Sequence, residues 1–189
     1  MGTLRVISGI AKGSRLKTVP GNSTRPITDQ VKESLFNILG TDVQESIWLD
    51  LFGGTGAVGI EALSRGAEFV TFIEVNHRAF AVIKENLQTT HFENSAEVIK
   101  RDAFDYISDQ ISTEFDYIYI APPQYKEMWL RAVNLLDDNP SFLAENGSII
   151  VQINPIEWQE QNYKNFQIVN QRRYGDTLLI FFEKIIQTE

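Results

Sequence analysis

The sequence contains no cysteine, which excludes disulfide bonds, thiolate metal ligation and any thiol nucleophile. Its two histidines, His77 and His91, stand apart from each other and make no zinc centre, so no metal is expected. No apolar run reaches the roughly eighteen residues of a membrane-spanning helix, and the first residues lack the apolar stretch of a secretory signal. A cytoplasmic protein with no membrane partner is therefore expected. Positive charge is also scarce, with 17 Lys and Arg against 25 Asp and Glu and a net charge of -8. Spread evenly, such a deficit would argue against a polyanionic partner.

It is not spread evenly. Residues 1–35 carry Arg5, Lys12, Arg15, Lys17, Arg25 and Lys32 against Asp29 and Glu33, a net charge of +4 that leaves -12 for residues 36–189. A basic arm on an acidic body is suited to meeting phosphates, although short basic runs are commonly solvated faces. The 189 residues suit one domain with a substantial core, without internal repeat or low-complexity segment. We divide the chain into a basic N-terminal hairpin and helix, residues 1–40, and a body, residues 41–189; a monomer is expected.

The most informative stretch is Leu49-Asp50-Leu51-Phe52-Gly53-Gly54-Thr55-Gly56-Ala57-Val58-Gly59. An apolar run ends in a glycine-rich turn, and apolar residues resume at helical spacing with Ile60 and Leu63, the order of buried strand, tight loop and helix. Gly54, Gly56 and Gly59 form a G-x-G-x-x-G, in which backbone approaches a ligand and helix packs closely on strand. A second strand, Phe69 to Ile73, leads into Glu74, twenty residues beyond Gly54, where an acid meets ribose hydroxyls. Asp50, at the end of the first strand, would oppose a pyrophosphate but favour a cation such as the ammonium of S-adenosylmethionine. This points to a sulfonium cofactor rather than NAD. A turn cap at Asp50 and a solvated strand end at Glu74 are the competing structural explanations.

Elsewhere, Leu4–Ile10 and Ser14–Val19 alternate about a glycine-containing turn and predict a hairpin. Thr28 predicts the cap of a helix with Val31, Leu35, Ile38 and Leu39 on one face and Gly40 at its end. Phe80, Ile83 and Leu87 mark a helix; residues 96–101 predict a third strand, and Phe104, Ile107 and Ile111 a short helix. Residues 115–120 predict a fourth strand, Met128 to Leu136 an amphipathic helix, and residues 148–153 a fifth strand begun at Gly147. Residues 166–172 and 177–182 predict a terminal hairpin. The alternation implies an α/β, doubly wound, mostly parallel sheet with one antiparallel strand.

In such a sheet ligands bind beyond the carboxyl ends of the strands, which gathers Asp50, Glu74, Asp102 and the Ala121–Tyr125 loop on one rim. Asp102-Ala103 could read an adenine through a carboxylate and an amide, or Asp102 could simply cap a helix. Pro122 and Pro123 fix the backbone so that its carbonyls can accept hydrogens from an exocyclic amine, while Tyr125 can stack on a base. Amino-group methylation, which depends more on placement than on a strong base, suits this loop; a proline turn opening the next helix is the plainer reading.

Arg5-Val6-Ile7-Ser8-Gly9, Thr24-Arg25-Pro26-Ile27-Thr28-Asp29, Glu33-Ser34-Leu35-Phe36-Asn37-Ile38-Leu39 and the run from Asp50 through Ala67 resemble the RsmD family of bacterial 16S ribosomal RNA guanine-N2 methyltransferases. The resemblance extends from Arg5 to about Phe182. It implies a Rossmann-like class I, seven-stranded methyltransferase fold with an N-terminal β-hairpin extension, using S-adenosylmethionine on a guanine of 16S ribosomal RNA or the assembling small subunit. By position, Asp50, Gly54 and Gly56 would hold the methionine part, Glu74 the ribose, and Asp102 with Ala103 the adenine; Phe52 completes the cofactor-binding set. Pro122, Gln124 and Tyr125 form the catalytic set, and Arg5, Lys12, Arg15, Lys17 and Arg25 the RNA-binding set. The family pattern has Asp or Asn before Pro-Pro and then Tyr or Phe; here Ala121 replaces the acid or amide and Gln124 displaces Tyr125 by one place. That departure keeps open a cofactor-binding, ribosome-associated protein with reduced or lost transfer. An NAD-dependent oxidoreductase is opposed by Asp50 and the Pro-Pro loop.

Overall fold

Seven strands lie in one sheet in the order β3-β2-β1-β4-β5-β7-β6. The computed structural model describes residues 4–20, 27–109, 113–124 and 126–186. In chain order the elements are α1 (Asp29–Leu39), β1 (Ile47–Asp50), α2 (Ala57–Ser64), β2 (Phe69–Ile73), α3 (His77–Thr90), β3 (Ala96–Ile99), α4 (Ala103–Ile107), β4 (Phe115–Ile120), α5 (Met128–Asp138), β5 (Leu143–Ile153), β6 (Phe166–Tyr174) and β7 (Thr177–Lys184). Every neighbouring pair is parallel except those made by β7, which runs antiparallel between β5 and β6. The strand order reverses between β1 and β4, and the carboxyl ends of β1, β2, β4 and β5 define one rim.

Two apolar layers cover the two faces of the sheet. Trp48, Val70, Phe72, Tyr119, Leu179 and Phe181 join α2, α3 and the N-terminal segment in one; Leu49, Leu51, Ile118, Val151, Leu178 and Ile180 join α4 and α5 in the other. The central strands bury both faces, which is why they read as unbroken apolar runs rather than as alternation.

Thr28 caps α1 as predicted, its hydroxyl accepting from the Val31 amide at 3.3 Å, and Gly40 ends the helix at φ 61°. The buried face differs from the predicted one: Ile38 is 37% exposed, while Lys32 and Phe36 are buried beside Val31, Leu35 and Leu39. Lys32 is drawn inward by a carboxylate. Its Nζ lies 3.1 Å from Glu61 on α2 and donates to the Arg5 carbonyl at 2.5 Å, and both acid and lysine are fully buried.

The same carboxylate reshapes the predicted hairpin. Pairing is limited to one antiparallel bridge, Arg5 to Arg15, with three flanking backbone hydrogen bonds. The Ile7 and Ser8 amides donate instead to Glu61, each at 2.9 Å, and those of Ile10 and Ala11 to Ser64, the last residue of α2. A helix carboxylate thus takes donors that a longer ladder would have used, and Leu4, Val6 and Leu16 enter the same apolar layer as Trp48.

Other boundaries shift by a few residues. β3 ends at Ile99, and Arg101 beyond it pairs with Asp109 at 2.5 Å. β5 begins at Leu143; Gly147 lies inside the strand, where an added Cβ would stand 2.8 Å from the Asp116 carbonyl. This glycine serves a close backbone approach rather than a strand start. Ile111 lies outside the described residues.

Candidate cofactor and substrate rim

The loop after β1 folds tightly because its glycines take conformations closed to other residues: φ is 56° at Gly54 and 76° at Gly56. The Gly53 amide donates to the Ile73 carbonyl at 2.9 Å and the Gly56 amide to the Gly53 carbonyl at 2.7 Å. Gly59 admits α2 to the sheet, since a Cβ there would lie 2.4 Å from the Phe72 ring. The loop is also braced from outside. Asn86 on α3 donates to the Thr55 carbonyl at 2.9 Å and accepts the Lys17 amide at 2.7 Å, tying arm, helix and glycine turn together.

Asp50 ends β1 beneath this turn and is 2% exposed. Its Oδ1 is buried without a hydrogen-bond partner. Burial pushes the carboxyl up to about 8, the Glu74 charge adds to the rise, and the Gly59 and Phe52 amides oppose it. A buried acid with a free oxygen beside a glycine turn fits a cationic group, which would supply the missing partner.

Glu74 follows β2 and holds the loop from the opposite side. Its Oε2 accepts the Gly54 amide at 2.9 Å and its Oε1 the Asn76 amide at 2.7 Å. Asp102 caps α4, with Oδ1 accepting the Phe104 and Asp105 amides at 2.8 and 3.2 Å. The cap fixes the position of Ala103, which is buried. Phe52 meets Phe104 edge-on at 6.0 Å between centroids, and the Arg131 guanidinium lies 4.0 Å over the Phe104 ring. The predicted cofactor residues are therefore continuous around the ends of β1, β2 and β3.

The Pro-Pro loop leaves β4 beside them, since Asp50 pairs in register with Tyr119 and the Leu51 amide donates to the Tyr119 carbonyl at 3.0 Å. Pro122 and Gln124 are half-buried and Pro123 is exposed; Tyr125 lies outside the described residues. Tyr119 donates its hydroxyl to Gln152 on β5 at 2.7 Å, and burial, then the nearby Asp50, hold its phenol well above the usual range. That bond couples β4, which leads into the loop, to its neighbour β5.

The arm residues do not form one cluster. Arg5 pairs with Asp29 at 3.0 Å at the start of α1, and Lys17 pairs with Glu85 on α3 at 2.6 Å, all partly or largely exposed. Arg15, opposite Arg5, is exposed. Lys12 is exposed at the tip, where its neighbours dock on the C-terminal end of α2, away from the rim. Arg25 lies outside the described residues. Sequence reasoning missed Asn86, Glu61 and Tyr119; a polar residue within a buried periodic stripe was the available signal for the first two.

Among the described residues, no group of three His, Cys, Asp or Glu could hold a metal ion, and no helix is long and apolar enough to cross a membrane. A family model described as conserved hypothetical protein 95 matches residues 4–183. The "Putative rRNA methyltransferase YlbH" of Bacillus subtilis is 38% identical over 183 residues, 96% of this chain and 99% of that protein. The "Ribosomal RNA small subunit methyltransferase D" of Haemophilus influenzae is 35% identical over 182 residues, covering 92% and 94%. Among solved structures, "Putative methyltransferase yhhF from Escherichia coli" superposes with a TM-score of 0.85 at 30% identity, covering 97% of this chain and 98% of that one.

Proposed function

This chain belongs to the RsmD family of ribosomal RNA methyltransferases, the one matched as conserved hypothetical protein 95, and from that premise we propose that it transfers a methyl group from S-adenosylmethionine to the N2 amine of a guanine in 16S ribosomal RNA. The observation that carries the cofactor assignment is the partnerless buried oxygen of Asp50 beneath the glycine turn. It suits the ammonium of the methionine part, with Gly54 and Gly56 lining the chain that follows. Glu74 accepts the ribose hydroxyls, and Asp102, Ala103 and Phe52 frame the adenine. When bound, the sulfonium supplies an electrophilic methyl.

The protein's own task is placement. The amine's lone pair is delocalised into the guanine ring, so the base must leave its stack with its hydrogens engaged. The Pro122 carbonyl accepts one of them, the Gln124 amide oxygen stands in for the acceptor that Ala121 lacks, and Tyr125 stacks on the base. Residues 1–40 dock the RNA through Arg5, Arg15, Lys17 and Arg25, with Lys12 farther out, and residues 41–189 carry out transfer.

Transfer of labelled methyl to small subunits from a strain lacking the enzyme, followed by nucleoside mass spectrometry, tests this reading. N2-methylguanine is the expected product. Tyr125→Ala should lose stacking worth roughly 1–3 kcal/mol and slow transfer while cofactor binding is kept; an unchanged rate would remove the stacking role. Ala121 favours one other reading, a ribosome-associated protein without transfer, and wild type that binds cofactor and subunit but methylates nothing would establish it.

A further inference from the structure

The chain has a second acid-free basic stretch besides residues 1–28. Residues 161–175, QNYKNFQIVNQRRYG, contain Lys164, Arg172 and Arg173 and no Asp or Glu. Lys164 lies 3.7 Å from Asp138, but Arg172 and Arg173 are exposed and neither meets a carboxylate among the described residues. Among the described residues their guanidinium groups donate to carbonyls of their own hairpin, Arg172 Nη1 to Gln171 and Arg173 Nε to Gly175, each at 3.2 Å.

Strand register brings both arginines to the rim. Ile153, the last residue of β5, pairs with Leu178 on β7, Leu178 pairs with Arg173, and Leu179 with Arg172. Opposed residues of an antiparallel pair share a face. Arg172 therefore lies on the face of Leu179, whose apolar layer includes Leu4, Leu16 and Tyr174, and Arg173 lies on the face of Leu178. Across the rim the order is glycine turn, Pro-Pro loop, end of β5, then this pair. Lys17, held against α3, stands on the other side of the glycine turn.

We infer that Arg172 and Arg173, one on each face of the sheet at its β6–β7 edge, wrap that edge as a second phosphate-binding surface for the RNA substrate, flanking the target base on the side away from the cofactor turn. The inference rests on the proposed RNA methyltransferase reading and adds to it a defined contact with the sugar-phosphate backbone. A single cationic anchor leaves an RNA free to pivot, whereas phosphate contacts on both sides of a base fix its register and orientation. Arginine suits that task because its planar fork matches phosphate oxygens. A partner strand is disfavoured at the same edge, since the register break between Ile168 and Asn170 and two adjacent positive charges both oppose strand addition.

The test uses full-length protein, a fluorescein-labelled RNA hairpin with guanines in its loop, and small subunits from a strain lacking the enzyme. RNA affinity is measured from about 50 to 200 mM salt for wild type, R172Q/R173Q and R172K/R173K. Neutralising the pair should weaken binding about tenfold near 0.1 M salt and lower the log–log salt slope by about 1.4, or about 0.7 for each lost contact to single-stranded RNA. The lysine pair should retain the slope, and all three proteins should bind S-adenosylmethionine equally. An unchanged slope in R172Q/R173Q, with wild type binding RNA, overturns the inference and leaves the methyltransferase reading standing. Equal loss of cofactor affinity would reassign the pair to rim structure, and a dimer abolished by the same substitutions would reassign the edge to a second copy; either overturns it. Wild type without salt-dependent RNA binding would instead defeat the RNA reading itself.

Discussion

The acids of the rim differ in what surrounds them, and their functions should separate accordingly. Glu74 already accepts two amides, which fix its carboxylate where the proposed reading has it also accept the ribose hydroxyls. Glu74→Ala would leave the proposed bonds to the ribose unmade, a loss of about 1.5–3 kcal/mol, and should weaken S-adenosylmethionine binding about tenfold or more by calorimetry. Asp50 is the opposite case, with its folded-state value raised from 3.8 to about 8. At neutral pH the free protein holds this carboxyl mostly protonated, and a bound ammonium favours the ionised form. Cofactor affinity should therefore rise with pH toward about 8 and level off or fall above it, where the ligand's own α-amino group loses its proton, and calorimetry in buffers of different ionisation enthalpy should show proton release near neutrality. The stability sign follows from the same shift: the contribution of neutral Asp50 is fully present below 3.8 and is lost as pH rises through about 8. The Tm of ligand-free wild type should fall across that window, and Asp50→Asn should flatten the decline. A pH-independent affinity would show that the carboxyl does not meet the ammonium.

At the scale of elements, α2 organises what precedes it. Glu61 accepts the Ile7 and Ser8 amides and pairs with Lys32 and with Arg65, the latter at 2.9 Å. Removing the acid strands a buried cation and two amides together, and breaking such a pair costs about 3–5 kcal/mol. Glu61→Ala should therefore cost more stability in urea titration than Lys32→Met, which leaves Glu61 with Arg65 and both amides. Hydrogen exchange at Ile7 and Ser8 should quicken in the first variant and much less in the second. The reverse order would show that the cluster is not organised on the acid.

For the whole molecule the net charge is misleading, because location decides which cations are available to an RNA. Lys32 is fully buried, while Lys12 sits at the far end of α2, about 12 Å from the rim at 1.5 Å per residue. That exceeds a Debye length of about 8 Å at physiological salt. Arg15→Ala with Lys17→Ala should therefore flatten the salt dependence of RNA binding by about 1.4, whereas Lys12→Ala should leave it nearly unchanged. Equal effects from the two variants would place the RNA along the whole arm rather than across the rim.

What could be read directly from the chain was local. The Thr28 cap, the φ-positive glycines of the turn, the strand ends at Asp50 and Ile120 and the alternation of strand and helix all follow from neighbours a few residues apart, and the structure repeats them. Asp102 was legible as a cap for the same reason. Other features depended on which surfaces meet. Periodicity assigns an apolar face to each element but cannot say that α1 carries its lysine inward to a glutamate on α2, or that this glutamate takes the donors of a hairpin. Nor could the sequence alone place Arg172 and Arg173 on the same rim as a loop some fifty residues earlier. That required β7 to turn back between β5 and β6, because strand order and register, set by packing across the whole sheet, determine which chain ends reach the rim.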